Sequence, residues 1–316
     1  MFELNTIRDW VGQWFWSGTI FVCLTTHIFS SPGGFTPLSG DMSQYDPSQR
    51  VFSDSQKNIK IAVFFPFSGQ GAIQGHIFWA AIGWAVHDVN SQGGIWVDGD
   101  KKKIQLLKAD HQGKPSTAKR VLERACLVDQ VDLIIGTAGS HLSLIAQQVA
   151  ARYRTVYLNV GALSDVIMNE QNFNRYTFRT CPTTSMLAKA LAHFYADRTT
   201  QRFYLLCQDY LYGHAFGDAF KETLLKQKPD AQIVGEDYHA LFAKDFAPYL
   251  EKVKGFGAEV IITGDWSPDI DNLVKQSRQM GMKIPIAGPF ADMPNPLKTI
   301  GGSAGIGVVV VGGFNA

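Results

Sequence analysis

The chain has 316 residues and a mass of 34.9 kDa, a length that favours two domains. Hydrophobic residues make up 46% and charged residues 18%, which is typical of a globular protein and excludes an intrinsically disordered chain. The 29 lysines and arginines against 28 aspartates and glutamates leave nucleic-acid binding without its main electrostatic support. The four cysteines form no C-x-x-C pair, which argues against a disulfide scaffold and a structural zinc site.

The N-terminal region contains an apolar run, Trp10–Phe29, that has no Asp, Glu, Lys or Arg and follows Arg8. A basic start before an apolar core is typical of an export signal, and the run is also about long enough to span a bilayer. Three alternatives stay open for residues 1–30: a cleaved signal peptide, an uncleaved membrane anchor and a wrongly assigned start. Residues 31–57 are rich in Ser, Pro and Gly, which indicates a linker.

From residue 59 onward, short apolar runs alternate with segments of helical periodicity. The predicted elements are, in chain order, strand 59–65, helix 75–91, strand 104–109, a helix from 115, strand 131–135, helix 140–151, strand 156–160, strand 176–179, helix 184–196, strand 203–207, helix 216–225, strand 232–234, a helix capped by Asp245 and running to 253, strand 259–263, helix 269–280 and strand 284–287. Repeated strand–helix–strand units predict parallel sheets with helices on both faces. A break near 179–183 separates two such units, so we expect an α/β protein with two doubly wound lobes, 58–181 and 182–316, and a cleft facing the carboxyl ends of their strands.

Two loops of the first lobe follow neighbouring strands and carry small polar residues. Gly136–His141 leads from a strand into a helix, where free backbone amides and the Ser140 hydroxyl favour a carboxylate ligand. The alternative for Ser140 alone is a simple helix N-cap. Asn159–Asp165 follows the next strand at the same edge, and the two loops together indicate a binding site.

Motifs for common enzyme chemistries are absent from the sequence. Gly69–Gly75 is one residue too long for the dinucleotide fingerprint, and there is no Walker loop, Gly-x-Ser-x-Gly elbow or His-Glu-x-x-His motif. Ser140 and His141 are neighbours in sequence, which does not make them a catalytic pair. We therefore expect no cofactor and no metal.

In the second lobe, two loops after strands each offer an aromatic and an acidic residue. Gln208–Gly213 carries Tyr212 and 264–269 carries Trp266, and either aromatic ring can close over a ligand. Asp265 or Asp269 can hold an ammonium group. The alternative for Asp269, after a proline, is a helix N-cap.

From residue 59 to about 316, the chain resembles the periplasmic branched-chain (Leu/Ile/Val) amino acid binding proteins of ABC importers, which have the type I bilobal fold. The segments that carry the resemblance are Pro66–Gly69, Asn90–Ile95, Ile135–Ser140, Phe178–Thr180, Tyr212–Gly213, Ala258–Gly264, Ser277–Gly281 and Gly288–Pro289. The resemblance implies two lobes joined by a hinge. It also implies further helices beyond Val308–Val311 that complete the first lobe, so we expect exposed apolar area on that lobe.

The resemblance assigns the following roles in the first lobe. Ser140 matches the family's carboxylate-binding serine, and Gly161, Ala162 and Leu163 match its second carboxylate loop. Leu163 stands where a threonine hydroxyl is usual, and Ser164 can substitute for it. Gln74 stands where a tyrosine lines the lobe.

In the second lobe, Tyr212 matches the family's tyrosine, and Asp265 and Trp266 fall where another aromatic residue lies. Phe290 stands where the amino acid binders place a glutamate for the ligand's ammonium group. Because an unpaired buried ammonium costs several kcal/mol, either Asp265, Asp269 or Asp292 replaces that glutamate, or the ligand has no amine.

The resemblance therefore implies an exported, periplasmic solute-binding protein without catalysis or cofactor. It is expected to be a monomer that captures a small carboxylate, a branched-chain or related amino acid, and delivers it to an ABC transporter permease. Asp265 is the expected ammonium partner, and a carboxylate without an amine is the alternative ligand. Two other functions stay open: a membrane-anchored sensor of the same fold, and a hydrolase with Ser140 as nucleophile.

Overall fold

The computed structural model describes residues 58–291 and 299–312. The predicted signal or anchor, the predicted linker and Asp292 lie outside the described residues. Within the described part of the chain, two five-stranded sheets and one short hairpin are formed.

The first sheet is parallel throughout and has the strand order β4–β1–β5–β6–β7. Its strands are β1 (Ile59–Phe65), β4 (Ile104–Asp110), β5 (Leu133–Gly136), β6 (Val156–Asn159) and β7 (Thr177–Arg179), and the antiparallel hairpin strands β2 (Ile95–Val97) and β3 (Asp100–Lys102) precede β4. Its helices are α1 (Ala72–Ser91), α2 (Pro115–Arg124) and α3 (Ser140–Tyr153). We call this sheet with its helices lobe 1.

The second sheet is also parallel and has the order β12–β11–β10–β8–β9. Its strands are β8 (Arg202–Gln208), β9 (Gln232–His239), β10 (Val260–Ile262), β11 (Ile286–Gly288) and β12 (Val308–Val310). Its helices are α4 (Thr184–Ala196), α5 (Leu211–Gln227), α6 (Ala247–Gly255) and α7 (Asp269–Gln279), and together they make lobe 2. Both sheets place their first strand between the second and the third, so each has a switch point at which loops diverge and a ligand can bind.

Burial explains why these strands are so apolar. In lobe 1, Phe64 and Leu122 belong to the core between the sheet and helices α2 and α3, while Phe65 stacks on Phe78 of α1 with ring centroids 4.4 Å apart. In lobe 2, one core includes residues of α4 and α5, and a second includes residues of α6 and α7. A strand with both faces covered needs apolar residues at successive positions, as the sequence has.

The chain crosses from lobe 1 to lobe 2 after β7. Helix α4 follows this strand but packs against α5 and the second sheet through residues such as Leu187 and Leu191. Its N-cap is Thr183, whose hydroxyl accepts a hydrogen bond from the Met186 amide at 3.2 Å. The crossing lies where the sequence pattern breaks, and the boundaries 58–181 and 182–316 stay a prediction.

Helix starts are the main difference from the predicted elements. Helix α1 begins at Ala72 instead of 75, and α5 begins at Leu211 instead of 216. In both helices a glycine of the first turn lies against a carbonyl of the preceding strand or loop. A Cβ atom would lie 2.0 Å from the Pro66 oxygen at Gly75 and 1.9 Å from the Gln208 oxygen at Gly213. The glycines allow each helix to begin close to its strand, which shortens the loop.

Other differences are smaller. Strand β9 runs on to His239, beyond the predicted end at 234, and the hairpin β2–β3 was not predicted. Asp245 accepts a hydrogen bond from the Ala247 amide at 3.0 Å, although the N-cap position of α6 is Phe246. Among residues 58–291 and 299–312, no helix combines the length and the apolar character needed to cross a membrane.

Candidate functional site

A cavity lies between the lobes, at the carboxyl ends of both sheets. Five residues of lobe 1 and four of lobe 2 line it: Gln74, Phe78, Ala138, Gly161, Leu163, Tyr210, Tyr212, Trp266 and Phe290. It holds about 430 Å³ that no protein atom fills, part of which is open to solvent. Five of the nine lining residues are aromatic and none is charged, so this first cavity suits a small ligand with an apolar body.

Six of the nine residues predicted for the site line the first cavity: Gln74, Gly161, Leu163, Tyr212, Trp266 and Phe290. Ser140, Ala162 and Asp265 are buried close to it but do not line it. Sequence reasoning missed Phe78, Ala138 and Tyr210. Ala138 and Tyr210 belong to loops that were singled out, whereas Phe78 has the helical spacing of an ordinary core residue.

Gln74 and Tyr212 occupy equivalent positions in the two lobes. Each directly precedes the first-turn glycine, Gly75 or Gly213, that brings its helix close to the first strand of the sheet. Both side chains are almost fully buried, at 5% and 2% exposure. The short strand-to-helix connection therefore places one polar side chain from each lobe on the first cavity.

The loop 161–164 is held from both sides. Asn159 accepts a hydrogen bond from the Ala162 amide at 2.9 Å and donates one to the Ala162 oxygen at 2.7 Å. Ser140 is the first residue of α3, its hydroxyl accepts from the Ser164 amide at 3.3 Å, and the N-cap position is Gly139. The interpretation of Ser140 as a simple N-cap is therefore wrong, because its hydroxyl fastens the neighbouring loop to the helix start.

Leu163 occupies the position of this loop where a threonine is usual in the resembled family. Its side chain is 6% exposed and belongs to the apolar core of lobe 2, while its carbonyl accepts a hydrogen bond from the Thr184 amide at 2.8 Å. A leucine here joins the loop of lobe 1 to helix α4 of lobe 2. The Ser164 hydroxyl, the expected substitute, is buried and has no hydrogen-bond partner.

A half-buried positive charge lies behind the same loop. Arg179 donates from Nη2 to the Ser164 oxygen at 2.6 Å, whereas its Nε and Nη1 atoms are buried without a hydrogen-bond partner. No carboxylate in the described part of the chain forms an ion pair with it. A guanidinium group without a paired carboxylate favours an anion nearby.

Aromatic rings of lobe 2 form the opposite wall. Trp266 donates from its indole nitrogen to the Tyr210 hydroxyl at 2.9 Å, and the rings of Tyr212 and Phe290 lie 6.1 Å apart. The Tyr210 ring also meets the edge of the His141 ring of lobe 1 at 6.0 Å. Burial raises the pKa of both tyrosines well above 10, so their hydroxyls stay protonated. The Tyr212 hydroxyl is buried without a partner.

Asp265 forms a buried ion pair with His239. Its Oδ2 lies 2.8 Å from His239 Nε2, and both side chains have no exposed surface. Burial by itself lowers the pKa of His239, but the hydrogen bond and the negative charge of Asp265 raise it to about 9. The imidazole is therefore protonated at neutral pH and compensates the Asp265 charge, although Asp265 Oδ1 has no hydrogen-bond partner.

Asp269 does not cap its helix. The N-cap of α7 is Pro268, and Asp269 Oδ2 accepts hydrogen bonds from the Gln208 side chain at 2.7 Å and from the Phe242 amide at 2.9 Å. Burial, together with the charge of Asp265, raises its pKa to about 6. The N-cap interpretation is wrong because the carboxylate instead joins the ends of β8 and β9.

The described cysteines and potential metal ligands can be compared with the expectation of no disulfide scaffold and no metal. Cys126, Cys181 and Cys207 are free thiols. In residues 58–291 and 299–312, no three side chains of His, Cys, Asp or Glu group together as metal ligands.

Known proteins resemble this chain over most of its length. The family described as Periplasmic binding protein matches residues 58–316. Leu/Ile/Val-binding protein homolog 4 of Brucella abortus is 27% identical over 263 residues, which cover 79% of this chain and 61% of the relative. The chain thus spans about three fifths of the length of this curated relative.

Two solved structures are similar to this chain in fold. The leucine-, isoleucine-, valine-, threonine- and alanine-binding protein of Brucella ovis, in a closed conformation, is 26% identical with a TM-score of 0.64, over 77% of this chain and 63% of that one. A solute-binding protein of an ABC transporter from Rhodopseudomonas palustris, in complex with 3,4-dihydroxybenzoic acid, is 23% identical with a TM-score of 0.66, over 74% and 62%. The predicted type I fold is confirmed, and with the family match over residues 58–316 the chain belongs to the periplasmic binding protein family.

Proposed function

We propose that this chain is an extracytoplasmic solute-binding protein that captures a small carboxylate with an apolar body and delivers it to an ABC transporter permease. The observation that carries the proposal is the first cavity, which lies between the strand ends of two lobes and has five aromatic and no charged lining residues. Such a cleft can trap a ligand when the lobes close on it. The names of similar proteins support a solute-binding protein for small carboxylates, since one names Leu/Ile/Val binding and another a bound 3,4-dihydroxybenzoic acid.

The anionic end of the ligand is assigned to lobe 1. Gly161 and Leu163 line the first cavity, helix α3 begins beside it, and Arg179 lies behind the loop that contains them. Backbone amides at a helix start and an uncompensated guanidinium both favour a negative charge. Ser140 stays a proposed partner, because its oxygen accepts from Ser164 and its hydroxyl hydrogen is free to be donated.

The geometry favours a ligand without an amine over the amino acid expected from the sequence. An ammonium group in the first cavity would meet no carboxylate among the nine lining residues. The expected partner, Asp265, is buried beside the cavity and is already compensated by protonated His239. Phe290 occupies the lobe 2 wall where the amino acid binders place a glutamate, and its ring packs against Tyr212. We therefore propose an aliphatic or aromatic carboxylate as the preferred ligand.

The same geometry supports binding without catalysis. A hydrolase would need a base within hydrogen-bond distance of the Ser140 hydroxyl. The contact of that oxygen is the Ser164 amide, and His141 instead packs edge-on against Tyr210.

The periplasmic location and the monomeric state are part of the proposal. The alternative of a membrane-anchored sensor is tested by the mass of the mature protein isolated from its host. An uncleaved anchor keeps residues 1–30, whereas a cleaved signal peptide does not.

The test is isothermal titration calorimetry with matched ligands. Leucine and phenylalanine are compared with 4-methylpentanoate and 3-phenylpropanoate, and the latter with its uncharged primary amide. We expect the carboxylates without an amine to bind at least about tenfold more tightly than the amino acids and than the amide. Preference for the amino acids that disappears in Asp265→Asn would return the site to an amino acid, and equal binding of acid and amide would contradict carboxylate recognition.

Arg179 provides the matched variants for this test. Arg179→Gln is expected to reduce the acid-to-amide affinity ratio, because the positive charge is removed, while Arg179→Lys keeps most of that ratio. A loss of structure alone would weaken acid and amide equally. Arg175→Gln is the control, since Arg175 is exposed four positions earlier and lies over the Tyr176 ring.

A further inference from the structure

A second cavity adjoins the first, on the side of the loops after β1 and β4. It holds about 870 Å³ of space free of protein atoms, against about 430 Å³ for the first, and part of it is open to solvent. Gln74, Ala138, Tyr210 and Trp266 line both cavities. Because the two share this part of their walls, one ligand can occupy both.

The lobe 2 wall of the second cavity is apolar and fixed. Leu241 and Phe242 form it together with Trp266, whose ring meets the Phe242 ring edge-on at 5.7 Å. Since Trp266 also donates to the Tyr210 hydroxyl, its ring is held from two sides. This wall suits the flat or apolar part of a ligand.

Phe242 has a backbone conformation that needs support. Its φ angle is 64°, in the left-handed region that a bulky residue rarely adopts. Its amide is held by Asp269 Oδ2 at 2.9 Å, and the same oxygen is held by the Gln208 side chain at 2.7 Å. Asp269 and Gln208 have no exposed surface. Two fully buried polar side chains thus hold one aromatic residue of this wall in place. Left-handed backbone conformations of non-glycine residues, like that of Phe242, cluster at ligand sites.

The lobe 1 wall is polar and carries no negative charge. Gln70, Gln112 and Lys114 are exposed on it, and no residue that lines the second cavity is an aspartate or glutamate. His111 accepts from the Gly113 amide through Nδ1 at 3.0 Å, so its Nε2 hydrogen is donated to Thr137 at 2.8 Å. Burial lowers the pKa of His111 to about 4, which keeps it neutral. Such a wall accepts uncharged oxygen-bearing groups and disfavours a cation.

We propose that the second cavity is a subsite for the distal part of the ligand, and that this part is an uncharged extension bearing hydroxyl or ether oxygens. This proposal rests on the proposed function, in which the carboxylate and the apolar body occupy the first cavity. The ligand is then longer than a single amino acid, with an acidic end in the first cavity and a neutral polar end in the second.

Calorimetry with three matched carboxylates tests the subsite. The parent is 3-phenylpropanoate, and the two extended ligands carry a 2-hydroxyethoxy or a 2-aminoethoxy group at the para position of the ring. We expect the hydroxyl ligand to bind about tenfold more tightly than the parent, the gain expected from burying two further methylene groups. The ammonium ligand should bind no better than the parent.

Leu241→Trp adds an indole ring to the wall of the second cavity, at a residue that does not line the first. It should remove the advantage of the hydroxyl ligand and leave the affinity for the parent within about twofold. Leu225→Trp, at a position of α5 that is 41% exposed, is the control for the added ring. Equal binding of parent and hydroxyl ligand, or equal losses for both in Leu241→Trp, would overturn the subsite and leave the proposed function intact.

The primary amides of the parent and the hydroxyl ligand separate the two proposals. If the amides bind as tightly as the acids and the extended amide keeps its Leu241-dependent advantage, the subsite stands and carboxylate recognition falls. If no member of the panel binds to the wild-type chain, both proposals fall.

Discussion

The buried pair of His239 and Asp265 gives a stability that depends on pH in a defined window. His239 has a pKa of about 9 in the folded chain against an ordinary value of 6.5. The difference corresponds to about 3 kcal/mol of folding free energy. Because the folded pKa is the higher one, this stabilisation is fully present below pH 6.5 and is lost as the pH rises through about 9.

The perturbation is Asp265→Asn. The variant leaves His239 buried without its counter-ion, so its pKa falls and the pH dependence between 6.5 and 9 disappears. We expect a loss of about 3 kcal/mol in unfolding free energy at pH 6.5 and little loss above pH 9. Asp269, whose pKa is raised to about 6, changes its charge below this pH window and does not contribute to the pH dependence within it.

Urea unfolding followed by circular dichroism at half-unit pH intervals measures the effect. Asp209→Asn is the control, because Asp209 lies 2.8 Å from His214 in a pair whose side chains are 62% and 48% exposed. An exposed pair of this kind contributes at most about 1 kcal/mol. Parallel curves for wild type and Asp265→Asn between pH 6.5 and 9 would show that the pair contributes no protonation-linked stability.

Three further substitutions test the first cavity and the residues beside it. Tyr212→Phe removes a buried hydroxyl without a partner, so the unfolding free energy of the ligand-free chain should rise by about 1 kcal/mol. The affinity for 3-phenylpropanoate should fall, and an unchanged affinity would place the hydroxyl outside the site. Ser140→Ala should weaken binding of the same ligand by about 1–3 kcal/mol, measured by calorimetry, and an unchanged dissociation constant would remove Ser140 from the site. Gly161→Ala places a Cβ atom 3.0 Å from the Phe78 ring, so it should displace that ring and reduce the affinity; affinity equal to wild type would show that the ring position is unimportant.

The sequence predicts the fold well because its strands are covered on both faces. Continuous apolar runs such as Ile59–Phe65 and periodic helices such as 184–196 have the bounds in the structure that their patterns indicate. The helix starts near Tyr212 are predicted less well. There the start depends on the close approach of Gly213 to the Gln208 oxygen, a tertiary contact that no local periodicity reports.

The site is predicted in part for a similar reason. Loop residues at strand ends are recognisable from position, and Gly161, Tyr212 and Trp266 do line the first cavity. The roles of Asp265 and Asp269 depend on His239 and Phe242, which lie more than twenty residues away in sequence. A carboxylate at a strand end is compatible with ligand binding, capping or internal pairing, and only the fold shows which partner meets it.

We propose that the cleft holds a small carboxylate with an apolar body. Native mass spectrometry of the full chain purified from its host, followed by release and fragmentation of the bound molecule, tests it most directly. We expect one ligand per chain, with a carboxylate, an apolar or aromatic body and no amine. A bound sugar, a metal ion or a cationic amine without a carboxylate would contradict it.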